Sequence, residues 1–324
     1  MSKIERKPRL DRIRAKAYRE DPDLDDLVND FREWSTYKEY LIFKIENKYT
    51  LEKKWRAVQA SKRGNNIYSI RLRKRLRHLY DIPEVKKFNY RDRSRRQTSN
   101  ILFVTLTYRR DRQLYFAWEE CGKDDNRFMA SMRKKYGDIS IIRSFEAQRD
   151  GFPHIHLLLY FKDSEFEAFH FKGKWRILEK EEIEDRWPWG FVDVQAISSL
   201  HSGISYVVKY LNKVHESVLD KKSDSKMVLT LAMLSIFRKR AFSISGSFRL
   251  LVGKIVKGKL IQQVDLKMEA IFKWYLVGFW GGDLGVLSKD LSYREFFEKR
   301  SSSTFNENIY LAGGSRGGGS GFDY

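Results

Sequence analysis

Two histidines separated by one residue, His154 and His156, stand in the run HIHLLLYF. Side chains alternate along an extended strand, so both imidazoles reach one face while Ile155 reaches the other. Paired imidazoles on one face can share a divalent ion. The run before them, ISIIRSFEAQ, is joined to it by RDGFP, whose Asp-Gly and Pro mark a hairpin connection. If that turn centres near Asp150 or Gly151, Glu146 shares the parity of the histidines and completes a set of two imidazoles and one carboxylate. Ser144 and Gln148 have the same parity, so a bulge would reshuffle the third ligand. Such a donor set on its own admits Zn, Fe or Mn.

A second constellation follows in HSGISYVVKYLNKVH, which opens on polar capping residues and continues as a helix. At about 100° per residue, Tyr206, Lys209, Tyr210 and Lys213 fall within an arc of about 100°, opposite Val207, Val208, Leu211 and Val214. Two phenols and two ammonium groups therefore share a face. A face meant only for packing would not place lysines between and after its tyrosines. A phenol is a poor nucleophile at neutral pH, so neighbouring positive charge must favour its anion.

Strands and helices have to bring these groups together. ILFVTLTY from Ile101 is β-branched and aromatic without a breaker, and Thr105 and Thr107 lie on one face of it. The threonines are placed to contact a nucleic-acid backbone or to brace the histidines, beside the plain reading of strand propensity. A helix is expected over Leu114 to Tyr136, helical sequence from the second hairpin strand to Arg186, a packed turn at Trp187 to Trp189, and a strand from Phe191. On that strand Asp193 and Gln195 alternate outward. The order β, α, β, β, α, β, α predicts an α+β protein, a mainly antiparallel sheet with helices on one face.

These ordered motifs, FVTLTY, then GFPHIHLLLY, then YVVKYLNK, resemble HUH endonucleases of the rolling-circle replication initiator type. The likeness spans Ile101 to Lys213. It implies a ferredoxin-like or RNA-recognition-like palm whose central strand carries the histidines. It also implies metal ligation by His154, His156 and Glu146, with Mg²⁺ or Mn²⁺ as the ion, and attack on single-stranded DNA at a replication origin by Tyr206 or Tyr210. The product would be a 5′-phosphotyrosine link with a free 3′-hydroxyl. Lys209 and Lys213 would offset developing charge. Tyrosines that follow the histidines, and come as a pair, favour initiators over conjugative relaxases; a related transposase and a non-catalytic single-strand binder are the alternatives. Which tyrosine attacks first stays open, because YVVK and YLNK are both Tyr-x-x-Lys. The stretch Phe237 to Phe248 is similar to initiators of archaeal plasmids and viruses. No Walker A loop is present, so a host helicase and polymerase are the expected partners.

Composition agrees with a polyanion partner. The 324 residues hold 63 Lys and Arg against 43 Asp and Glu, a formal charge of +20, and such a surface attracts nucleic acid. Through Gln97 the chain holds 28 basic and 15 acidic residues, and reads as a basic helical region with Leu24, Leu27, Phe31, Trp34, Trp55 and Val58 at amphipathic spacing. In RLRKRLRHLY, the side chains of Arg71, Arg73, Lys74, Arg75 and Arg77 circle the helix, leaving little room for a buried face and pointing to DNA binding. Residues 98–215 form the expected endonuclease core, 216–310 a helical or mixed region, and 311–324, GGSRGGGSGFDY, a flexible tail. The apolar runs Met227 to Phe237 and Ile271 to Trp280 fall short of the roughly 18 residues of a membrane span and read as core helices.

Other conspicuous residues read as structural. The single cysteine, Cys121, cannot form an internal disulfide and is expected to be inert, which suits a reducing cytoplasm. MSKIERKPRL has no apolar run behind its basic residues, unlike a signal peptide. His78 could touch phosphate; His170, His201 and His215 lack partner spacing and read as surface or capping residues.

Overall fold

The computed structural model describes residues 10–216, 225–248 and 272–281. Two compact units divide the chain, one of residues 1–36 and 61–262, the other of 37–60 and 263–324. The protein is α+β, with antiparallel pairing throughout its sheets.

The smaller unit contains a sheet of three strands, β1 (Glu39–Asn47), β2 (Lys53–Gln59) and β11 (Phe272–Gly281), with β1 in the middle. This corrects two readings. Trp55 and Val58 lie in a strand, because the run EYLIFKIEN is rich in aromatic and β-branched residues and closes on β2 through a turn. In that turn Asn47 Oδ1 accepts from the amides of Tyr49 (2.9 Å) and Thr50 (3.2 Å). The apolar run ending at Trp280 is likewise a strand. A run of ten apolar residues fits a buried helix or a strand equally, and only its pairing with β1 decides.

The larger unit is built on a five-stranded sheet in the order β10 (Phe242–Ser245), β5 (Ile139–Ala147), β6 (Pro153–Phe161), β4 (Ile101–Tyr108), β9 (Gly190–Ala196). The strand of the histidines, β6, is central. Helices pack on both faces, not on one. The long helix α4 (Leu114–Tyr136) covers one face: Tyr108 on β4 donates to its Asp124 (2.9 Å), and Arg143 on β5 pairs with its buried Asp125 (2.6 Å). Cys121 is buried in this helix and its thiol is pushed up to about 12 by burial, so it is inert. The opposite face receives α6 (Leu200–Glu216).

The helix α7 (Ser225–Ile236) is apolar almost all round and buried almost throughout, as a core helix must be. It runs against the end of β5 and against α1 (Leu10–Ala17), α2 (Leu24–Thr36) and α6. Asp23 caps α2 by accepting from the amides of Asp25 and Asp26.

Two further readings change. Most of the sequence after β6 that was expected to be helical forms strands, β7 (Phe166–Phe171) and β8 (Lys174–Ile177), with β3 (Gln97–Ser99) beside β7 and only a short helix α5 (Lys180–Glu184). Phe166 and Ala168 are buried at a spacing of two, which is a strand period. In α3 (Asn66–Arg77), Arg71, Arg73, Lys74, Arg75 and Arg77 are all exposed, yet Ser69, Leu72 and Leu76 form a buried stripe beneath them. The basic residues thus do face water over a hidden seam. Among the described residues, no helix is long and apolar enough to cross a membrane.

Candidate metal and tyrosine site

The hairpin of β5 and β6 sets the first part of the site. Its register pairs Glu146 with His154 and Ser144 with His156, so the turn centres at Asp150 and no bulge displaces the carboxylate. On the other side of β6, Thr105 and Thr107 of β4 pair with His156 and His154. One sheet face therefore carries Phe103, Thr105, Thr107, His154, His156, Ser144 and Glu146.

Among the described residues, the ligand atoms of Glu146, His154 and His156 form the one cluster able to hold a cation, all within 4.8 Å of one another. His156 Nε2 lies 2.9 Å from Glu146 Oε2, and its Nδ1 lies 3.2 Å from Thr105 Oγ1. A hydroxyl can donate or accept, so Thr105 serves both tautomers of His156. When Nε2 carries the proton toward Glu146, Thr105 donates to Nδ1; when Nε2 presents its lone pair to a cation, Nδ1 donates to Thr105. The Nε2 atom of His154 is buried and, among the described residues, has no hydrogen-bond partner. An orphaned imidazole nitrogen beside a carboxylate fits a metal ligand. The 2.9 Å separation fits too, since two ligands about 2.1 Å from one ion and at right angles stand about 3 Å apart.

The electrostatics keep the donors available. Burial works to raise the Glu146 carboxyl, but hydrogen bonds from His156 and Lys226 outweigh it and hold the group at about 2. Burial, and then the neighbouring His156, push His154 down to about 4, so it is neutral at physiological pH. Lys226, at the head of α7, places Nζ 2.7 Å from Glu146 Oε1. The sequence reading missed it. Its only signal was a lone cation opening an otherwise apolar helix.

The second part of the site comes from α6. Tyr206 Oη and Tyr210 Oη are 3.1 Å apart and their ring centroids 4.8 Å. Tyr210 stands against the His156 ring (5.9 Å), and Tyr206 meets the edge of Phe103 (4.7 Å), whose ring stacks on His156 (5.6 Å). Phe103 was also missed, although its parity with Thr105 was readable. Gly203 allows this approach, for a Cβ there would lie 2.5 Å from Leu158 Cδ1 on β6. Tyr206 remains 41% exposed, so the pair is open to a large substrate. Burial, with the hydrogen bond to Tyr210, pushes the Tyr206 phenol above its ordinary range.

Other predicted residues are placed differently. Lys209 is exposed on α6, and the Lys213 side chain lies outside the described residues. The basic helix α3 packs beside α6, with Tyr80 just beyond it donating to Ser205 (3.4 Å). Asp193 is on the histidine face but is engaged by Arg176, Lys174 and Gln195. His78 pairs with Asp81 and His201 with Glu84 and the Ile82 carbonyl, which are structural roles; His215 lies outside the described side chains. Trp187 is a packed turn residue that donates to the Thr107 carbonyl (3.1 Å).

An antiparallel sheet with a His, His, Glu cluster facing a helix-borne tyrosine pair defines a class of protein with a cation site beside two phenols. The family model described as replication-associated protein, of the ORF2 type, matches residues 101–215, which contain all of these groups. The match ties this third of the chain to replication-associated proteins. No curated protein and no solved structure matches the chain.

Proposed function

We propose that this protein initiates rolling-circle DNA replication by nicking and rejoining single-stranded DNA at an origin through Tyr206 and Tyr210. The observation that carries the reading is the meeting of two phenols with the His154, His156 and Glu146 cluster, inside the segment that matches a replication-associated family. In the nicking step one phenol oxygen attacks the scissile phosphorus and the bond from phosphorus to the 3′ oxygen breaks. The phenol proton passes to solvent, and the departing 3′ oxygen takes up a proton to become a hydroxyl. The phosphotyrosine keeps the energy of a phosphodiester, so rejoining is the same exchange in reverse and needs no ATP.

A divalent ion held by Glu146, His154 and His156, Mg²⁺ or Mn²⁺, would supply Lewis-acid polarisation of the phosphate. Because the environment of Tyr206 disfavours its anion, the site depends on such positive charge more than an exposed phenol would. Thr105 orients His156, and Lys226 orients Glu146. Thr107, Lys209, Lys213 and the basic face of α3 are assigned to the DNA phosphates.

The test is a denaturing gel of the protein with labelled oligonucleotides tiled across the neighbouring replicon in Mn²⁺. A covalent adduct is expected from the wild type and none from the Tyr206→Phe, Tyr210→Phe double variant. An adduct from that variant would overturn the assignment. Wild-type binding without any adduct would make the protein a non-catalytic single-strand binder.

A further inference from the structure

Phe191, on the edge strand β9, lies on the same sheet face as the histidines and is 68% exposed. It is the register partner of Thr107, which pairs in turn with His154. The ring therefore stands two strands from the metal-ligand cluster, about 10 Å at the usual strand spacing. Packing of this strand is carried by Val192 and Val194, which are buried on the other face. Single exposed apolar residues are common and need no explanation. Here a second exposed ring and a strained cationic turn lie alongside.

The hairpin of β7 and β8 runs beside β9 and is tied to it. Arg176 pairs with Asp193 and donates to the Val194 carbonyl (3.0 Å), while Lys174 Nζ is 3.5 Å from Asp193. At its tip stand Phe171, 52% exposed, then Lys172, Gly173 and Lys174. Lys172 has φ 46° and Gly173 φ 80°, two consecutive left-handed residues in a two-residue turn. Such a turn favours Asn or Gly at its first position, and a lysine there costs backbone strain. The lysine kept in this place holds its Nζ 5.2 Å over the Phe171 ring. The patch thus combines two exposed rings with two ammonium groups, against one carboxylate, Asp193, already engaged by Arg176 and by Gln195 (2.8 Å).

We propose that Phe191 and Phe171, with Lys172 and Lys174, form a subsite for single-stranded DNA beside the cation cluster, the rings stacking bases and the lysines contacting phosphates. The proposal rests on the nicking reading and deepens it by placing nucleotides next to the scissile one. Stacking on an exposed ring tolerates any base, because every base has a π face, while the ammonium groups supply affinity that salt weakens.

Fluorescence anisotropy of a labelled single-stranded oligonucleotide with the full chain in EDTA separates binding from cleavage. Phe191→Ala is expected to weaken binding at least about fivefold, Phe191→Trp to restore it, and neither to alter the slope of log affinity against log salt. Lys172→Ala with Lys174→Ala should flatten that slope by about 1.4. If Phe191→Ala binds like a wild type that forms the Mn²⁺ adduct, the subsite is overturned and the nicking reading stands. If the wild type neither binds the oligonucleotide nor forms an adduct, both fall.

Discussion

Thr105 and His154 make the site's chemistry separable from its stability. Thr105→Val keeps shape but removes the group that answers either tautomer of His156. Loss of such an outer partner should lower Mn²⁺ affinity about 10- to 100-fold, read by calorimetric titration, with unfolding little changed. His154 is held neutral, its folded pKa about 4 against the ordinary 6.5. Between those values the unfolded chain binds a proton that the folded chain refuses, so stability rises with pH across this window and is lost as pH falls from about 6.5 to about 4. Glu146, at about 2 against 4.5, extends the loss further into acid by the same sign. Thermal melts of the protein in EDTA from pH 7.5 to 4.5 should show a falling midpoint, and His154→Asn should flatten the upper part of that fall. Replacing both histidines by Ala should abolish adduct formation yet spare most DNA binding, because affinity comes mainly from phosphate contacts; equal loss of both would count against the assignment.

Among the elements, α6 matters most, since it presents both tyrosines to the sheet. Its approach depends on Gly203 lying against Leu158. Gly203→Val should destabilise the fold by about 1–3 kcal/mol through overpacking and reduce the adduct more than it reduces DNA binding. Leu158→Ala in the same chain should return part of the adduct, measured by the same gel; no recovery would show that the helix is positioned by other contacts. The β5–β6 hairpin was legible because Asp150, Gly151 and Pro153 fix its turn locally and alternation does the rest. The strands β1, β2, β7, β8 and β11 were not, because short amphipathic or apolar runs fit two periods until a partner strand is known.

For the molecule as a whole, a formal charge of +20 makes binding to single-stranded DNA an ion-exchange process. Log affinity should fall linearly with log salt, by about 0.7 for each phosphate contacted. Removing Arg71, Arg73 and Lys74 together should shallow that slope by about 2, with adduct formation retained at low salt, because these exposed side chains stand over the buried Leu72 and Leu76 seam and add nothing to the packing. An unchanged slope would take α3 out of the DNA interface.

Local spacing alone determined the α+β class, the hairpin parity of Glu146, His154 and His156, and the shared helix face of Tyr206 and Tyr210. Each depends on a period of two or of 3.6, and neighbours in the chain enforce those. Tertiary structure alone decided that helices cover both sheet faces, that Phe103 bridges His156 and Tyr206, and that Lys226 reaches Glu146 from α7. Those contacts join residues far apart in sequence. Nothing in the local pattern of either partner encodes the distance between them; only the packing of the sheet against α6 and α7 does.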